Sequence, residues 1–121
     1  MGAYSHGYTV DVGDARFVFV TGQIALDEKG ELVSEDVGDQ TRYVFDRISR
    51  ILTEAGSSLD DVVKTQIFVT DMSYFSTISP IRNEYYAKSE PVSTLVGVNS
   101  LVHPGCKIEI EVIAVSSTPE T

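Results

Sequence analysis

The 121-residue sequence contains no tryptophan and one cysteine, and it carries half as many bases as acids. Each shortage closes off a class of protein. Cys106, standing alone, cannot make a disulfide within the chain, so the fold needs a core of its own rather than a cross-linked scaffold. Nine Lys and Arg against eighteen Asp and Glu leave a formal charge of −9. With no cluster of bases, a phosphate backbone is repelled, and nucleic acid is not expected as a partner. No apolar run approaches the length of a membrane span or signal segment, which predicts a soluble, cytoplasmic protein with no membrane partner. Metal and cofactor patterns are also missing. Neither Cys106 nor His6 and His103 shows metal-ligand spacing, there is no phosphate loop or GxSxG turn, and "VGVNS" does not match a dinucleotide fingerprint, so no metal and no cofactor are expected.

What is present suits one globular domain over residues 1–121, with 42% hydrophobic residues and a modest core. "RFVFVTGQIAL" reads as the first strand, and its centre, Phe17 to Val20, is apolar at every position, as in a strand covered on both faces. "LDEKGEL" suits a tight connection into a short strand over 31–33, making a hairpin. The period then becomes helical: Val37, Thr41, Val44, Phe45, Ile48, Ile51, Leu52 and Ala55 form an amphipathic stripe over about 36 to 55. Ser34 or Asp36 is its expected cap, and Gly56 its terminator. "VVKTQIFVT" alternates as an interior strand, and a second helix is predicted to start with Ser79 as cap and Pro80 as first residue. "STLVGV" and "KIEIEVIAV" complete the order β-β-α-β-α-β-β, an α/β (α+β) fold whose mixed sheet carries two helices on one face. Two helices leave the other face bare, and apolar patches of that size mark interfaces. A homo-oligomer with packed sheets and clefts between copies is therefore expected.

The last strand holds the most informative pair of residues. Glu109 and Glu111 share one face with Ile113 and Val115, so two acids border an apolar region instead of continuing a solvated one. Carboxylates two apart on a strand lie about 7 Å apart, which brings glycoside hydrolysis to mind, yet there is no tryptophan to stack a sugar. Pairing with Lys107, Lys64 or Arg82 is the structural alternative. Spacing alone leaves both readings open.

Taken together and in order, the segments resemble the RidA (YjgF) family over nearly the whole chain. "GAYSHG" is similar to the family's Gly-Pro-Tyr-Ser, and "VTGQIALDEKGELV" to its Ser-Gly-Gln strand. "DQTRYVFDRISRILTEAGSSLDDVVKTQIFVTDMSYF" matches its first helix, following strand and turn. "PVSTLVGV" and "KIEIEVIAV" resemble its C-terminal signature. The resemblance implies a chorismate-mutase-like fold, a homotrimer with sheets packed at the centre, and hydrolysis of reactive enamines and imines at inter-subunit clefts. It implies roles for residues as well: Glu109 matches the water-positioning glutamate, Thr21 the cleft serine and Tyr4 the cleft tyrosine.

Departures from the family pattern bear on the substrate. Where relatives with imine hydrolysis carry an arginine that grips the substrate carboxylate, this chain has Ser93; Ser79 replaces a frequent asparagine and Leu95 a frequent cysteine. A hydroxyl cannot imitate a bidentate guanidinium. Arg82, the only arginine near these segments, is either a displaced clamp or an exposed helix residue. The resulting expectation is a small-molecule deaminase acting on an enamine, imine or aminomuconate-like compound, with a carboxylate as one candidate ligand. Its candidate catalytic residues are Glu109 and Thr21, and its candidate binding residues are Tyr4, Ser93, Ser79 and Arg82. The alternative is a non-enzymatic trimer that binds a metabolite or acts as a chaperone.

Overall fold

The computed structural model describes residues 5–119, so Tyr4 lies outside the described residues. The elements are β1 (Gly7–Val12), β2 (Ala15–Gln23), α1 (Val37–Glu54), β3 (Val62–Val69), α2 (Phe75–Tyr85), β4 (Val92–Gly97) and β5 (Ile108–Ser117). They form one five-stranded mixed sheet in the order β1-β2-β5-β3-β4. Every pairing is antiparallel except β3 with β4, whose parallel register requires the crossover that α2 supplies.

Helix α1 forms where its stripe predicts it. Asp36 caps it by accepting the Asp39 amide at 2.9 Å, and Gly56 follows its end at φ 80°. Its buried face, Val44, Phe45, Ile48 and Leu52, packs on β2 and β5 against Val18, Ile110, Val112 and Ala114. Phe45 also stacks on Tyr85 at 4.7 Å between ring centroids and meets Tyr86 edge-on at 5.1 Å, joining the two helices.

Two sequence expectations are corrected. The sequence reading lacks β1, whose hairpin with β2 is the longer one, and the hairpin expected into residues 31–33 forms in reduced form, with Leu26 and Leu32 bridged and backbone hydrogen bonds from Asp27 to Glu31 and from Val33 to Ala25. The Asp27 carboxylate accepts the amides of Lys29 and Glu31 at 2.8 and 3.0 Å and closes the tight turn of that short hairpin. The signal for β1 was present in the alternation of Tyr8, Val10 and Val12 with Thr9 and Asp11, and Gly13, at φ 59°, makes its turn. The second helix begins at Phe75, with Pro80 inside it and Ser79 mid-helix rather than at the cap. A 3-10 turn over Met72–Tyr74, itself capped by Asp71 on the Ser73 amide, starts the coil early enough to carry the helix through the proline.

Both helices lie on one side of the sheet. The other side is bare, and its rows follow from the register: Tyr8, Phe19, Ile113, Lys64 and Val92 stand side by side across all five strands. Large apolar groups on this side face solvent, including Tyr8 at 67% and Val92 at 69% exposure.

Candidate active site

Glu109 is the second residue of β5 and projects onto the bare side, in a row with Phe68 of β3 and Val96 of β4. Its place is set by a buried side chain of α1. Gln40, fully buried, donates through Nε2 to the carbonyls of Ser34 and Gly105 and accepts the Lys107 amide at 2.8 Å, fastening the approach to β5. On the neighbouring strand the register shifts between Val20 and Gln23, so that Thr21 and Gly22 form a bulge. The Glu109 carboxylate lies over Gly22, where a side chain would occupy the same space. Thr21, half-buried, is held by its amide on the His6 carbonyl at 2.9 Å. The structure thus brings Thr21 and Glu109 to one bulge, and no hydrogen bond joins their side chains.

The electrostatics of this bulge separate the two readings of the acids. Among the described residues neither Glu109 nor Glu111 has a cation within ion-pair distance; the ion pairs there are Arg16 with Asp11 and Arg42 with Glu84. Lys107, one proposed partner, donates instead to the Glu35 carbonyl. Burial pushes the Glu109 carboxyl above its ordinary value, and the Glu111 charge two residues away adds to the rise. Cys106 is buried, and burial pushes its thiol up against the lowering effect of a hydrogen bond with the Ala25 backbone, with the Glu109 charge adding to the rise.

The remaining predicted residues gather elsewhere. Ser93 of β4 stands beside Thr65 of β3, which is buried on the helix side, where the Tyr86 hydroxyl donates to it at 2.8 Å. Ser93 and Arg82 line one cleft of about 510 Å³ with Tyr86, Asn83 and Glu90. Arg82 donates to Ser79 Oγ at 3.2 Å and lies 5.7 Å from the Phe75 ring centroid. Ser79, Arg82 and Ser93 are therefore one cluster, and Glu109 with Thr21 another, on opposite sides of the sheet. Gly22 and Gln40 were missed in the sequence. A glycine within an apolar strand is a cue for a bulge or close approach, whereas nothing in the helical stripe distinguishes Gln40 from a surface glutamine.

Comparison with known proteins agrees with this architecture. The family model described as Endoribonuclease L-PSP matches residues 1–116. A RutC family protein of Pyrococcus abyssi is 40% identical over 115 residues, covering 94% of this chain and 87% of that protein. The human 2-iminobutanoate/2-iminopropanoate deaminase is 32% identical over 116 residues, covering 95% and 81%. Among solved structures, E. coli TdcF with bound serine superposes with a TM-score of 0.82 at 35% identity, covering 97% and 91% of the two chains.

Proposed function

Because the chain belongs to the RidA/YjgF family, we propose that it works as one domain in a homotrimer and hydrolyses a small imine, enamine or aminomuconate-like compound to a carbonyl product and ammonia. The carrying observation is Glu109, a carboxylate with no cation partner whose pKa is raised by burial, lying over a glycine on the bare side of the sheet. An imine carbon is already electrophilic, so the chemistry asks for a base and for positioning. Glu109 takes a proton from water as the water oxygen bonds to that carbon. Nitrogen takes up that proton to give the carbinolamine and then, by way of Glu109, the proton that the carbinol O–H loses as the C–N bond breaks, so that ammonia departs and a C=O group remains. A raised pKa suits a group that accepts a proton and then returns it to nitrogen. Thr21 is proposed to orient the water or the substrate beside it.

A trimer is supported by the bare apolar side, since Tyr8, Phe19 and Val96 are exposed there and a second copy would cover them. Assembly is also what would let Ser93, Ser79 and Arg82 of one copy face Glu109 of another. In that arrangement Arg82 takes the carboxylate-binding role that Ser93 cannot perform. One feature favours a non-enzymatic, metabolite-binding or chaperone-like trimer instead: the serine at position 93. Release of ammonia or ketoacid from an imine generated in situ decides between the two. Glu109→Gln is expected to lower turnover by about 10²-fold or more with the fold intact; no turnover by the wild type on any imine would favour the binding role.

A further inference from the structure

A second cleft lies on the helix side, with no residue in common with either cluster above. Helix α1 packs chiefly on β2 and β5 and reaches β1 through Ile51, which lies over Gly7. Gly7 and Thr9, two small residues of β1 on that side, border a cleft of about 440 Å³ beside α1. Ile51, Ala55 and Tyr43 give it apolar surface, and its charged lining is Arg47, Arg50, Glu28 and Glu54.

That charge balance differs from the rest of the chain. Acids outnumber bases two to one overall, but here they are equal. Arg47 is held in place by Nε on Gln23 Oε1 at 2.8 Å and Nη1 on the Leu26 carbonyl at 3.1 Å, with Nη2 uncommitted among the described residues. Gln23 is itself 2% exposed and donates to the Thr21 carbonyl at 3.0 Å, so the arginine is anchored to a rigid strand. Among the described residues, no hydrogen bond or ion pair engages the side chains of Arg50, Glu28 or Glu54, although Arg50 and Glu54 are one turn apart. An anion would meet two carboxylates, and a cation two guanidiniums. A ligand carrying one charge of each sign satisfies both.

We propose that this cleft binds a free apolar amino acid as its zwitterion. The α-carboxylate is received by Arg47 and Arg50, the ammonium by Glu54 or Glu28, and the side chain lies against Ile51 and Ala55. The test uses leucine as probe, with N-acetylleucine and leucinamide as analogues lacking one charge, followed by calorimetry and saturation-transfer NMR. Leucine should bind, and each analogue should bind about tenfold or more weakly, since each loses a set of charge-assisted bonds. Arg50→Gln and Glu54→Gln alter exposed groups that the fold does not need, and each should weaken leucine about tenfold, whereas Glu109→Gln should leave it unchanged. No saturation by leucine up to about 10 mM, equal binding of all three probes, or binding that falls with Glu109→Gln but survives both cleft variants would each overturn the proposal.

Discussion

Replacing Gly22 by alanine places a methyl group inside the volume now held by Glu109. The new Cβ would stand 2.7 Å from Glu109 Cδ and 2.9 Å from its Cγ, well short of the 3.5 to 4.0 Å at which carbon atoms rest. Gly22 is not among the glycines at positive φ, so alanine brings no backbone strain, and the glutamate side chain has to yield. A turn about its side-chain bonds moves the carboxylate by roughly 1 Å or more, a displacement that can lower catalysis about 10²-fold. The stability cost is smaller, of the order of 1 kcal/mol for an off-rotamer side chain. Gly30→Ala is the matched control: φ is 79° and no atom lies within 4 Å, so the strain of roughly 1–2 kcal/mol falls on a loop away from Glu109. Ketoacid release and thermal melting are measured for both. Gly22→Ala should lose turnover with little loss of stability, and Gly30→Ala the reverse. Wild-type kcat/KM in Gly22→Ala would refute the placement of Glu109 at the reaction centre.

Three other outcomes are expected. Glu111→Gln removes the second cause of the raised Glu109 pKa; because the base works as a carboxylate, activity is present above that pKa and lost as pH falls through it, so the acid limb of the kcat/KM profile should move to lower pH. A limb that stays or moves upward would remove Glu109 from that role. Ser93→Arg should raise turnover on small amino-acid-derived imines about tenfold by supplying charge-assisted bonds to the substrate carboxylate, with Arg82→Ala lowering the wild type's; wild-type rates insensitive to both variants would exclude this cleft from substrate binding. Phe19→Asp adds a charge to the bare side without touching the core, and native mass spectrometry should record a monomer with little turnover; an active monomer would show that one copy suffices.

Much of the fold was legible because its signals are local. The α1 stripe, Gly56 at its end and the alternation in β3 and β5 each record a periodicity that burial imposes on neighbouring residues. The differences arose where a side chain competed with the backbone pattern: the Asp27 turn holds the expected pairing to a single bridge, and Asp71 began α2 ahead of a proline that looked like its start. Of the site, Glu109 was visible as an acid on a half-apolar strand face. Its lack of a cation and its position over Gly22 depend on which strands become neighbours, and strand order is not written in any one segment.

Stability and chemistry pull in opposite directions at Glu109. A carboxyl whose folded pKa lies above its unfolded one is disfavoured as a charge, so its contribution to stability is present at low pH and is lost as pH rises through the folded pKa. At neutral pH the ionised group therefore burdens the fold, and a cation nearby would relieve that burden while lowering the pKa toward that of an ordinary surface acid. Lys64 stands two rows away on the same side, and no ion pair forms between it and either acid. Burial is the larger cause of the shift in a single chain whose sheet is bare on that side. Covering that side with another copy would withdraw more water from the carboxylate and raise its pKa further, so the apolar rows around Phe19 and Val96 and the basicity of Glu109 are two consequences of one surface.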